Sequence, residues 1–244
     1  MPMPSTAGAT LALESQDIQK KFGHFTALNG ITLQIPRGEF VTLFGRNGAG
    51  KTTFLKVAAT LVRPTHGTLR VEGFDIREEP EKARRQIGFL SHNTFIYRDL
   101  SAIENLRFFC RLYGADGSQD RLMGILERVG LRHRANDTVR SFSRGLQQRV
   151  GIARVLLHEP ALILLDEPYT GLDAQAVTML NGILDEFVSD GRTVILTTHD
   201  FEHGIRAATR VLIMDRGKVV LAAGARDSQV REAYAKHILQ GAPR

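Results

Sequence analysis

Gly45-Arg46-Asn47-Gly48-Ala49-Gly50-Lys51-Thr52, followed by Thr53, is the stretch on which the reading of this 244-residue chain turns. It fits the spacing G-x-x-x-x-G-K-[ST]. The apolar residues 40–44 before it read as a strand, and residues 51–61 after it have helical periodicity. In that setting the glycines let successive backbone N–H groups converge on phosphate oxygens, and the helix start offers its positive end to the same anion. Lys51 is expected to reach the β- and γ-phosphates of a nucleotide, and Thr52 to place its hydroxyl on Mg²⁺. A glycine-rich turn with a surface lysine is the plainer reading, and the flanking strand and helix weigh against it.

A second element supplies the complementary chemistry. Leu162-Ile163-Leu164-Leu165-Asp166-Glu167 is an apolar run that ends in two carboxylates. Open α/β sheets collect ligands at the C-terminal ends of their strands. Asp166 is placed to hold the Mg²⁺ shell, which leaves Glu167 to polarise a water aimed at the γ-phosphorus. Acidic residues also end strands as ordinary turn formers. Beside the phosphate loop that reading recedes, and the two motifs together define a P-loop NTPase.

Outward from these motifs the chain alternates short apolar runs with longer helical patterns. Residues 31–35, 40–43, 87–90, 161–165, 194–197 and 211–214 read as strands, and 146–157 and 177–188 as helices. That rhythm predicts an α/β domain with a largely parallel sheet. A further helical block, 101 to about 129, opens with Ser101 and Glu104 at capping-box spacing and breaks near 114–118. It stands apart from the strand rhythm, as an inserted helical subdomain of about 92–158 within a single domain over 1–244. Early turn signals at Lys20-Lys21-Phe22-Gly23, Pro36-Arg37-Gly38 and Glu72-Gly73 predict a small antiparallel β layer beside the main sheet.

Composition narrows the setting. The net charge of +6 suits nucleic acid, an anionic membrane surface, polyphosphate or plain solvated surface, and its sign alone does not choose. A single cysteine, Cys110, excludes a disulfide framework within the chain and a cysteine-cluster metal site, and fits a reducing cytoplasm. Residues 1–10 lack the basic region and long apolar stretch of a secretory signal. No window approaches the roughly 18 apolar residues that a spanning helix needs.

Ser141-Phe142-Ser143-Arg144-Gly145-Leu146-Gln147-Gln148-Arg149-Val150 resembles the signature of the ABC ATPases, usually L-S-G-G-Q-Q-Q-R-V. Ser143, Gly145, Gln147, Gln148 and Arg149 match; Phe142, Arg144 and Leu146 depart. Thr170-Gly171-Leu172-Asp173 looks like the family's D-loop, His199 in Thr197-Thr198-His199-Asp200 like its switch histidine, and Phe22 like the aromatic that stacks on adenine. The resemblance spans about residues 11–223. It implies a RecA-like P-loop core, ATP and Mg²⁺ as ligands, and two copies closing with ATP between one phosphate loop and the other's Ser143 segment. It implies catalytic roles for Glu167, His199 and Lys51, with Ser143, Arg144, Gly145 and Asp173 completing the neighbour's site. Arg144 either adds charge to that cap or points to solvent.

The usual glutamine of the segment I-G-Y-L-P-Q is replaced in Ile87-Gly88-Phe89-Leu90-Ser91-His92-Asn93 by His92. A neutral imidazole keeps one acceptor nitrogen for the metal and water, which a protonated ring loses. His92 is the expected substitute, with Asn93 as rival. The 90–92 and 99–108 stretches also resemble ATPases labelled as haem exporters of cytochrome c biogenesis. The resemblance implies a peripheral ATPase on the inner face of the cell membrane, paired with a second copy and a polytopic permease, and no nucleic-acid partner. A soluble single-cassette ATPase of cofactor assembly is the alternative. A repair ATPase is disfavoured because no long heptad run lies between Lys51 and Asp166, and a GTPase because no N-K-x-D stretch occurs.

Overall fold

The computed structural model describes residues 10–91 and 94–239; His92 and Asn93 therefore lie outside the described residues. Among the described residues there are ten strands: β1 (Leu11–Phe22), β2 (Phe25–Pro36), β3 (Phe40–Gly45), β4 (His66–Val71), β5 (Phe74–Asp75), β6 (Ile87–Leu90), β7 (Leu162–Asp166), β8 (Thr193–Thr198), β9 (Arg210–Asp215) and β10 (Lys218–Gly224). The helices are α1 (Lys51–Ala58), α2 (Pro80–Arg85), α3 (Ala102–Tyr113), α4 (Gln119–Arg128), α5 (Arg144–Leu156), α6 (Ala174–Ser189), α7 (Phe201–Arg206) and α8 (Gln229–Tyr234).

The strands make two sheets. One is six-stranded in the order β10-β9-β3-β8-β7-β6, parallel throughout except for the β9–β10 pair; the other is antiparallel, β2-β1-β4-β5. Residues 31–35 belong to β2 and so to the antiparallel layer, not to the parallel rhythm that their apolar letters suggested. The period-2 alternation of β2 explains this, because one of its faces is exposed while central parallel strands are buried on both.

Strand β7 shows how the central sheet is held. Leu162 and Leu164 face the core shared with α1 and the antiparallel layer, while Ile163 and Leu165 face the core built with α3 to α6. Strand β8 divides likewise, with Ile195 on the first side and Val194 and Leu196 on the second. Both strands are buried on both faces, so their C-terminal ends are held in fixed register.

Ser101 accepts from the Glu104 N–H while Glu104 accepts from the Ser101 N–H, completing the capping box at the start of α3. Helix α1 stops at Ala58, short of the periodicity that runs to Leu61. Thr60 takes a left-handed φ of 62°, and the N–H groups of Leu61 and Val62 turn back to the Lys56 carbonyl, closing the last turn before Pro64.

Candidate active site

Register brings the site together. Asp166 on β7 pairs with Thr197 on β8, and Phe44 on β3 pairs with Thr198 on β8. The phosphate loop that follows Gly45, the carboxylates of Asp166 and Glu167, and His199 therefore emerge side by side at the C-terminal edge of the parallel sheet.

The loop is fixed by its backbone. Ala49 donates to the Arg46 carbonyl at 3.0 Å, and Gly217, in the β9–β10 turn, donates to the Ala49 carbonyl at 2.9 Å. Gly50 caps α1 at φ 106°, and a Cβ there would lie 2.6 Å from the Ala27 carbonyl, so only glycine fits. Lys51 is buried, and its ammonium donates to the Gly45 carbonyl at 2.6 Å and more weakly to Arg46 at 3.4 Å. Burial lowers its pKa from the ordinary lysine value, against the opposing pull of Glu167 and Asp166.

Asp166, almost fully buried, is gripped from two sides. The Thr52 hydroxyl lies 3.0 and 2.9 Å from its two oxygens, and the Thr197 hydroxyl donates to Oδ1 at 2.7 Å. A hydroxyl and a carboxylate of hard oxygen, touching beside a phosphate loop, are a donor set that fits Mg²⁺, which takes one or two protein oxygens and fills its shell with phosphate and water.

Glu167 is set differently. Its backbone adopts φ 52°, one of seven non-glycine residues with positive φ among the described residues. Its N–H donates to the Thr197 carbonyl at 3.0 Å. Such conformations need surrounding structure to hold them and gather at functional sites. The turn brings Glu167 Oε2 to 2.9 Å from Nδ1 of His199, whose side chain is largely exposed.

Two cavities adjoin here. One, of about 230 Å³, is lined by Phe25, Ala27, residues 46–53 and Glu167; the other is shared by Gly45, Arg46, Asn47, Glu167, His199 and Ile238. Phe22 lines neither: it is half exposed, with the Lys20 ammonium 4.8 Å from its ring centroid. Phe25, its register partner across the hairpin, is the aromatic wall of the phosphate-loop cavity and was missed from the sequence. Residues 25–28 show no alternation, so no local pattern marks it; its place follows from the hairpin pairing with Phe22.

Ser143, Arg144 and Gly145 also line neither cavity. Ser143 caps α5, accepting from the Leu146 N–H at 3.4 Å, and a Cβ on Gly171 would touch the Arg144 stem at 3.4 Å. Asp173 caps α6, accepting from the Ala176 N–H at 2.7 Å, and pairs with Arg149. The Ser143–Gly145 and Gly171–Asp173 segments therefore lie against each other, and each begins a helix.

The ABC transporter family model matches residues 28–170, more than half of the chain. The chain belongs to the ABC transporter family. The ABC transporter ATP-binding protein NatA of Bacillus subtilis is 35% identical over 214 residues, covering 86% of this chain and 87% of that protein. The Nod factor export ATP-binding protein I of Cupriavidus pinatubonensis is 36% identical over 222 residues, 90% of this chain and 67% of that protein. Among solved structures, the dimeric ATP-binding cassette MJ0796 bound to ADP and Pi aligns with a TM-score of 0.81 at 29% identity, covering 88% of this chain and 99% of that one. This ABC subunit binds and hydrolyses ATP with Mg²⁺, dimerises, and serves a separate membrane component. No helix among its described residues is long and apolar enough to cross a membrane.

Proposed function

We propose that this ABC subunit is one half of a homodimer, held at the inner face of the cell membrane, that closes over two ATP and drives a polytopic permease in export. The observation that carries the assignment of roles is the edge of the parallel sheet, where Thr52 meets Asp166 and Glu167 meets His199. The Nod factor export name of one relative supports the direction.

In this reading the N–H groups of residues 45–53 cradle the phosphates. Lys51 leaves its loop carbonyls for the β- and γ-phosphate oxygens, where its charge is better used than on neutral acceptors. Thr52 and Asp166 hold Mg²⁺, which offsets phosphate charge when bound. Glu167 accepts the proton of the attacking water as its oxygen bonds to the γ-phosphorus and the bond to the ADP oxygen breaks. His199 steadies Glu167 and contacts the γ-phosphate. Phe25, together with Phe22, lies against the nucleoside. Ser143, Arg144, Gly145 and Asp173 complete the partner's site, and His92 takes the place of the usual glutamine.

Glu167→Gln tests this directly. With ATP and Mg²⁺ it should lose hydrolysis by about 10²-fold or more while still binding ATP. The tagged protein should elute as a dimer and bring a membrane protein with it. A variant that hydrolyses ATP at the normal rate, or stays monomeric with ATP, would overturn the assignment.

A further inference from the structure

Outside the parts already given roles, one buried side chain touches the site from behind. Tyr234, the last residue of α8, donates its hydroxyl to the backbone carbonyl of His199 at 2.8 Å. That carbonyl lies past the end of β8 and ahead of α7, so neither the ladder nor the helix claims it. The Tyr234 ring is buried edge-on against Phe44, with centroids 5.2 Å apart and planes at 85°, and lies 4.6 Å from Phe201. Phe44 immediately precedes Gly45, the first residue of the phosphate loop, and Phe201 opens the helix that follows His199. One side chain thus contacts the segments on both sides of the cavity shared by Gly45, Glu167 and His199.

The chain after Tyr234 keeps this arrangement in place. Residues Ala235–Leu239 continue as one wider helical turn, His237 lies 3.5 Å from the Asp215 carboxylate at the end of β9, and Ile238 lines the cavity itself. Burial, helped by the charges of Asp200 and Glu167, raises the Tyr234 pKa above the ordinary phenol value, so the hydroxyl remains a donor.

We infer that Tyr234 is a positioning residue for hydrolysis: by anchoring the His199 carbonyl it fixes the imidazole in its contact with Glu167, and it links the C-terminal helix to the rate of the chemical step. The inference rests on the roles assigned above to Glu167 and His199. It concerns the geometry of the step and not the grip on nucleotide, since Tyr234 lines neither cavity.

The test uses Tyr234→Phe in the full chain, because phenylalanine keeps the ring packing and removes only the donor. Single-turnover hydrolysis of Mg²⁺–ATP should slow by about five-fold, the loss expected for one hydrogen bond, with the half-saturating ATP concentration unchanged. On a His199→Ala background the same change should cost nothing further, because the group it acts through is gone. The ring resonances of His199, assigned by their loss in His199→Ala, should shift or broaden in Tyr234→Phe while those of the other histidines stay in place. An unchanged rate, an equal slowing on both backgrounds, or an undisturbed His199 resonance would each overturn the inference. Full activity in His199→Ala would instead remove the reading on which it rests.

Discussion

Phe22 and Phe25 face each other across the first hairpin, and only one of them borders the phosphate loop. Phe25 is about three-fifths exposed, an unfavourable arrangement for so large an apolar residue unless a second flat surface covers it. Phe22 is already approached by the Lys20 ammonium, which partly occupies its π face. Base–aromatic stacking is worth about 1–3 kcal/mol per base, so Phe25→Ala should weaken ATP binding by roughly five-fold or more. Isothermal titration with ATP and with GTP checks this, and both nucleotides should lose affinity alike, since stacking is indifferent to base edges. The same substitution at Phe22 should have the smaller effect; the reverse order would return the base to the position that the sequence pattern favours.

At the level of elements, legibility followed the length over which the physics acts. Residues 87–90 and the run ending at Asp166 were readable because a strand buried on both faces is nearly all apolar. The capping box at Ser101 was readable because it is complete within four residues. Strand β1 was not, since Ser15, Gln16 and Asp17 break the alternation where its pairing slips by a bulge. Helix α8 and its Tyr234 contact were also invisible, because 35 positions separate the tyrosine from the histidine and nothing local reports their meeting.

A similar long-range contact ties α5 to the sheet at β6. His158, just past α5, places Nε2 2.9 Å from the Ile87 carbonyl and its ring 4.5 Å from that of Tyr113, while its buried Nδ1 has no partner. Burial is the main cause of a pKa below the ordinary histidine value of 6.5; the Arg154 charge lowers it further and the Ile87 carbonyl pulls the other way. As pH falls through 6.5 the unfolded chain takes up this proton first, so the unfolded state binds more protons and stability declines until the folded ring also titrates. His158→Gln retains a donor for Ile87 without this titration. Its melting temperature should therefore fall less than that of the wild type between about pH 7.5 and about pH 5.5, measured by thermal denaturation in matched buffers. Equal falls would place the acid sensitivity elsewhere.

For the whole molecule, the decisive feature is that Lys51 and Ser143 belong to one chain but, in the proposed dimer, to different sites. Each begins or caps a helix, and the cavities beside the phosphate loop are walled without the Ser143 segment. An isologous pair places that segment of each copy against the phosphate loop of the other. This arrangement has a consequence that a self-sufficient site lacks. Lys51→Ala and Ser143→Arg should each abolish hydrolysis alone, the first by removing a phosphate contact and the second by filling the cap with an unneeded side chain. In a mixed dimer both lesions fall on the same site, and the other site has an intact Lys51 from one chain and an intact Ser143 from its partner. Equal mixing should therefore restore up to roughly a quarter of the wild-type sites, provided each site can fire singly. Steady-state phosphate release from the two inactive proteins, separately and combined, gives the measurement. Recovery that rises with the mixed fraction and is greatest near equal amounts requires sharing across the interface. Activity in either single variant, or none at any ratio in mixtures shown to contain the mixed dimer, would mean that the division of labour between Lys51 and Ser143 is not the one drawn here.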